Sequence, residues 1–209
     1  MSLRGAVRLG VAVFFRFMEP GPLIDGELEL VAPDERWVDP MLASASHPAC
    51  AGDERAEHTT RQVLTELLRA APAGHHPGDL LRNRVPAYTF WMRLRTFDGY
   101  APPVPMAGTI SLRVGHSRDV EQYFGHIGYN VLPPARGRHF AERACRLMLP
   151  LARMHGMKTI WITCNPDNLP SRRTCERLGA KMIEVVPLPP GNALYQRGER
   201  QKCRYRLDL

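Results

Sequence analysis

The stretch Gly125-His126-Ile127-Gly128-Tyr129-Asn130-Val131-Leu132-Pro133-Pro134-Ala135-Arg136-Gly137-Arg138-His139-Phe140-Ala141 decides the fold. Residues 125–132 read as a strand, and Pro133-Pro134, which has no N–H to offer a ladder, ends the pairing. Arg136-Gly137-Arg138-His139-Phe140-Ala141 then sets consecutive backbone N–H groups, a flexible glycine and cationic side chains at a helix start. The first amides of a helix are unpaired and carry the positive end of its dipole, so such a start attracts anions. Residues 138–155 continue as a long amphipathic helix, with Phe140, Ala144, Leu147, Met148, Leu151 and Met154 on one stripe. Pro150 inside it predicts a kink or a division into two pieces. Strand, turn and anion-attracting helix start form a nucleotide- or coenzyme-binding arrangement.

Downstream, Thr159–Cys164 is a short β-prone run. Asn168 is a good N-cap, Pro170 is tolerated in the first helical turn, and Gly179 ends the helix that follows. Residues 180–186 and 203–207 read as strands, with a loop at 187–198 between them. Upstream, residues 23–31 end in strict alternation and predict a strand. Pro33–Trp37 looks like a helix start, and Thr59–Ala70 carries Val63, Leu64, Leu67 and Leu68 at helical spacing. Residues 71–78 are a Pro/Gly loop, 87–94 and 107–114 are strands, and 115–119 is a hairpin-type loop.

The Arg136–Ala141 run resembles motif A of the GNAT superfamily of N-acetyltransferases, Gln/Arg-x-x-Gly-x-Gly/Ala, which cradles the pyrophosphate of acetyl-CoA. Arg136 matches its first position and Ala141 its last, while His139 stands where the family usually has Gly. Asn168 to Gly179 resembles the family's Asn-x-x-Ser/Ala-x-x-x-Tyr-Glu-x-x-Gly, with Cys175 at the Tyr position. The element order is also the family's. The resemblance implies an α/β (α+β) fold: a mixed, mostly antiparallel twisted sheet covered by helices, with a splayed central strand pair into which acetyl-CoA wedges. It implies that Val131 and Leu132 offer amides to pantetheine. Arg136, Gly137, Arg138, His139, Phe140 and Ala141 would hold the pyrophosphate, and Asn168 and Ser171 would flank the pantetheine arm.

His126, where related sequences often carry Glu, is the first candidate for the base that deprotonates the acceptor; the competing reading is a structural histidine. Cys175 is a general-acid candidate by position, against a plain packing role. The implied activity is direct acetyl transfer from acetyl-CoA to a primary amine of a small molecule or protein. A non-catalytic acyl-CoA-binding module is the alternative, motivated by His139 and Cys175. Partners are then acetyl-CoA and an amine acceptor, and a homodimer is compatible with the family's habits.

The chain has 209 residues, enough for one domain over 21–209 with an N-terminal extension over 1–20. No apolar stretch reaches the ~20 residues of a membrane span. Leu9–Phe15 follows Arg4 and Arg8, but Arg16 interrupts it and no small-x-small cleavage pattern follows, so secretion is not expected. Five scattered cysteines without CxxC spacing fit reduced, buried thiols in a cytoplasmic protein and predict no metal. Net charge is +7, and residues 131–209 hold 15 Lys/Arg against 6 Asp/Glu. That field suits the phosphates of a coenzyme. No nucleic-acid-binding pattern accompanies it, so a nucleic-acid partner is not expected.

Overall fold

The computed structural model describes residues 15–79 and 84–209. Two antiparallel sheets form from nine strands among these residues. The first runs β1 (Ile24–Asp25), β2 (Leu28–Val31), β4 (Ala87–Leu94), β5 (Met106–Arg113), β6 (Ile127–Val131), with β3 (His75–His76) also on β4. The second runs β7 (Thr159–Cys164), β9 (Gln201–Asp208), β8 (Lys181–Pro187). Helices α1 (Val38–Ala45), α2 (Glu54–Glu57) and α3 (Arg61–Ala70) precede β3. Helix α4 (Phe140–Met154) joins the sheets, α5 (Leu169–Arg177) follows β7, and the short α6 (Ala193–Gln196) precedes β9.

Period-2 patterning makes the first sheet two-faced. Tyr88, Phe90, Met92, Ile110, Leu112 and Ile127 pack with Phe140, Ala144, Met148 and Leu151 of α4 in the main core. Trp91, Met106 and Leu132 point the other way, onto Val38 and Met41 of α1 and Leu64 of α3. Caps set the helix starts: Thr60 Oγ1 accepts the Val63 N–H at 3.3 Å, and Asn168 Oδ1 accepts the Ser171 N–H at 3.1 Å.

Several elements differ from the sequence reading. Residues 23–31 are a hairpin, not one strand, because Gly26 turns the chain at φ +56°. The loop after β5 runs to residue 126 and contains a helical turn, Val120–Phe124, laid across β7 and β9. Helix α4 is a single element despite Pro150. That residue is exposed, so the carbonyl that loses its partner can be satisfied by water. The Leu9–Phe15 reading lies, apart from Phe15, outside the described residues. Phe15, Phe17 and Met18 pack against the main core, so the boundary expected at residue 21 falls inside a segment that touches the sheet.

Gly108 positions the site. Met92 pairs with Gly108 but Arg93 with Met106, leaving Ala107 as the extra residue of a bulge. Gly108 has φ +146°, and a Cβ there would lie 2.0 Å from the Asn130 carbonyl oxygen. Only glycine lets β5 approach β6 this closely.

Candidate active site

Strands β6 and β7 are neighbours that form no ladder. They meet at one end, where the His126 N–H donates to the Trp161 carbonyl at 2.6 Å and the Trp161 N–H donates to His126 Nδ1 at 2.9 Å. Gly125, at φ +70°, makes this vertex possible, since a Cβ would sit 3.0 Å from the Thr163 nitrogen. Beyond it the strands separate.

Hydrogen-bond parity says which groups face the gap. Leu132 N–H donates to Ala107 O at 2.8 Å and Arg113 N–H to His126 O at 2.7 Å, so the even-numbered residues of this strand bond to β5. Ile127, Tyr129 and Val131 therefore turn their N–H and C=O groups toward β7. This corrects one expectation: the Leu132 amide is consumed by the sheet and is not free for pantetheine, whereas Val131 lies on the open edge. The Val131 carbonyl accepts Arg136 Nε at 2.9 Å.

At the open end, the amides of Gly137, Arg138, His139, Phe140 and Ala141 donate no hydrogen bond among the described residues. Gly137 (φ +82°) and His139 (φ +58°) are both left-handed, and His139 caps α4 without a side-chain bond. His139 thus takes a glycine conformation with a side chain attached, at the position where the sequence departs from the family pattern. Arg138 lies over the Tyr100 ring at 4.8 Å. Arg136 is not a free cation: its guanidinium also holds Asp53 Oδ2 at 2.6 Å. Burial alone would raise the Asp53 carboxyl, but Arg136 and the Ala56 and Arg55 amides outweigh it and hold the group below its usual range.

Ser171 Oγ lies 2.7 Å from the Tyr129 hydroxyl, a bond that joins β6 to α5 across the gap. Burial first, then the neighbouring Cys175 and Cys145 thiols, push Tyr129 far above the usual phenol range, so it keeps its proton.

Two candidates sit differently from their expected roles. His126 is wholly buried, its Nδ1 takes the Trp161 N–H, and its proton is therefore on Nε2. Burial, followed by the nearby His116, pushes its pKa down to about 4. Such a ring is neutral at pH 7 but has no lone pair available, so it does not fit the role of acceptor base. Cys175 is also fully buried, in contact with the Cys164 thiol. The bond to Cys164 and then burial raise its pKa well out of range, and its S–H is directed at Cys164 instead of the gap. Its position is that of a thiol packed in the core.

On the α1/α3 side, Thr89, Thr109, Ser111, Arg113, Gly128 and Asn130 form a half-buried polar floor beside the vertex. Sequence reasoning missed Tyr129 and the Asp53–Arg136 pair, which joins positions 83 apart. It also missed His116, whose Nδ1 is 2.7 Å from Glu121 Oε1.

The sequence matches the model of the acetyltransferase (GNAT) domain over residues 28–181. The chain belongs to the GNAT acetyltransferases. The acetyltransferase shares its fold with the microcin C7 self-immunity acetyltransferase MccE, solved with acetyl-CoA and AMP: 14% identity, TM-score 0.60, 90% of this chain and 94% of that one. A GNAT-family acetyltransferase from Bacillus anthracis aligns at 15% identity and TM-score 0.55, over 90% and 98% of the two chains. An acetyltransferase from Salmonella typhimurium that modifies the N-terminal serine of ribosomal protein L7/L12 aligns at 18% and 0.54, also over 90% and 98%. No curated protein matches the sequence. Membership makes the enzyme an acetyl-CoA-dependent N-acetyltransferase. No helix among the described residues is long and apolar enough to cross a membrane.

Proposed function

We propose that this acetyltransferase moves the acetyl group of acetyl-CoA directly onto a primary amine, of a small molecule or a polypeptide, in the gap between β6 and β7. The observation that carries this reading is the pairing of an unladdered strand edge with five unpartnered amides at its open end. Pantetheine contains two amide units and can bond to a strand edge as another strand would. The amides of residues 137–141 would hold the pyrophosphate, with Arg138 and the half-exposed His139 ring beside it. Asn168 would fix the α5 start that closes the far wall.

The acceptor nitrogen attacks the thioester carbon as a neutral amine. The new C–N bond forms, the C–S bond breaks, and the thiolate needs a proton. We assign that proton to the Tyr129 hydroxyl, held at the gap by Ser171 at 2.7 Å; the proton left on the acceptor nitrogen returns to the phenolate as the amide forms. Proximity supplies much of the rate. The folded unit is taken to include the packed residues 15–20 with 21–209.

Calorimetry with acetyl-CoA, followed by amine-dependent release of CoA, tests the reading. Heat and amine-dependent release support the enzyme. Heat without release for any amine would favour the acyl-CoA-binding module, and no heat would sink both.

A further inference from the structure

Resting on that reading, we infer that His116, oriented by Glu121, is the base that takes the proton of the acceptor's ammonium. His116 lies in the connection between β5 and β6. Its Nδ1 is 2.7 Å from Glu121 Oε1, so Nδ1 carries the proton that this carboxylate accepts. That leaves the Nε2 lone pair free, the arrangement in which a carboxylate fixes the tautomer of a catalytic imidazole. The His116 side chain is 59% exposed and so can be reached by an acceptor.

Its place in the fold suits the task. The His116 ring packs edge-on against the His126 ring, with centroids 5.5 Å apart, and His126 marks the vertex where β6 and β7 join. β6 is five residues long, about 16 Å at ~3.3 Å per residue. An arm bound along it from residue 131 brings its thioester toward that vertex. A cavity of about 370 Å³, with Phe15, Val114, His155 and Met157 in its wall, opens beside His116 and has room for the non-reacting body of the amine.

His116, Glu121 and His126 also have the composition of a metal site, with ligand atoms within 4.8 Å of one another. The tautomer of His126 argues otherwise. A metal on Nε2 requires the proton on Nδ1, but Nδ1 faces the Trp161 N–H. The buried Nε2–H instead faces the Gly115 carbonyl, at no better than a loose hydrogen-bond geometry, and lies close to the Glu121 carboxylate. Held neutral, His126 does not repel an imidazolium at His116. Titratable or charged groups near His116 include Glu121, Arg113 behind His126, His155 across the cavity, and Arg118 and Asp119 two and three positions on in the same loop.

In the reaction, the His116 Nε2 lone pair takes one ammonium proton. The freed nitrogen pair forms the C–N bond as C–S breaks, the second nitrogen proton replaces the one Tyr129 gives the thiolate, and the imidazolium is stabilised by Glu121 until it releases its proton to water. Glu121 touches no substrate in this scheme and is a positioning residue.

The test uses the full chain with phenethylamine, spermidine and a short peptide with a free α-amine, assayed from pH 6 to pH 10. For H116Q, kcat/KM at pH 7 is expected to fall about 10²-fold. The acetyl-CoA thermal shift should be retained, and the loss should shrink as pH approaches the range where the amine deprotonates unaided. E121Q should lower kcat with little change in the KM for acetyl-CoA, E121D should restore part of it, and nitrogen NMR should find His116 as the Nδ1–H tautomer only when residue 121 is acidic. Wild-type turnover by H116Q, or a loss equal at every pH, overturns the dyad alone. Loss of wild-type activity on chelation, restored by Zn²⁺, overturns it in favour of a metal site. A wild-type protein that binds acetyl-CoA and acetylates none of the amines refutes the acetyltransferase reading itself.

Discussion

Replacing Arg136 by Gln should cost stability more than coenzyme affinity. Arg136 makes two bonds, Nε to the Val131 carbonyl at 2.9 Å and a charged bond to Asp53 at 2.6 Å. The Arg136 side chain is 52% exposed and that of Asp53 17%. A charge-assisted bond contributes about 1.5–3 kcal/mol when covered, and solvent at the arginine end reduces it to about 1 kcal/mol. With the neutral bond to Val131, the expected loss is roughly 1–2 kcal/mol, or about 3–6 °C in Tm for a chain of this size. The pH dependence follows from Asp53, whose folded-state pKa is depressed below 3.8. Its stabilisation is complete above the unfolded value and is lost as pH falls through the folded one, so the two proteins should converge in Tm only below pH ~4. Because Asp53 already neutralises Arg136, acetyl-CoA affinity should fall less than tenfold. Thermal melts from pH 3 to pH 8 with parallel calorimetry decide. An unchanged Tm at pH 7 together with a hundredfold loss of affinity would show that Arg136 spends its charge on phosphate, and the pairing argument would fail.

H139G should leave Tm within about 2 °C, because relief of a left-handed non-glycine residue, ~1 kcal/mol, is offset by glycine's extra backbone entropy. Acetyl-CoA should bind several-fold tighter, as the ring no longer crowds the open amides; weaker binding in calorimetry would identify the ring as a phosphate donor. G108A places a Cβ 2.0 Å from the Asn130 oxygen and should cost more than about 3 kcal/mol by denaturant titration. A midpoint near wild type would refute the close approach of β5 and β6. Y129F should keep acetyl-CoA affinity and lower kcat by about 10–10²-fold, and wild-type turnover would remove the phenol as proton source.

What could be read from the sequence was what local physics fixes. The aromatic-rich run 87–94, the strand at 107–114, the Asn168 cap and the apolar stripe of α4 all act within a few residues, and each element formed within a residue or two of where it was expected. The site depended on longer reach. Gly125 was read into the strand, but its left-handed turn puts His126 at a junction with Trp161, 35 positions away. That one contact decides the tautomer of His126 and removes it as a base. The difference between Val131 and Leu132 is likewise invisible locally, since it depends on which of the two faces β5. Cys175 matched a family position, but whether a thiol there meets the gap depends on Cys164 arriving from another element.

The same parity gives a physical reason for the proposed coenzyme site. A strand at the border of a sheet leaves every second residue with an unused donor and acceptor, and each such group kept from water costs about 1–3 kcal/mol. Evolution usually hides such an edge. Here the chain satisfies the two ends of β6 itself, through Trp161 at the vertex and Arg136 at Val131, and leaves the Ile127 and Tyr129 backbone groups between them without a partner among the described residues. Pantetheine, with two amides spaced along a flexible chain, can supply both missing partners without a side chain to obstruct the gap. In the proposed mode the binding energy would come largely from backbone groups that no substitution can delete. Side-chain changes around this edge, such as His139 at the start of α4, are therefore tolerable so long as β6 and β7 stay apart.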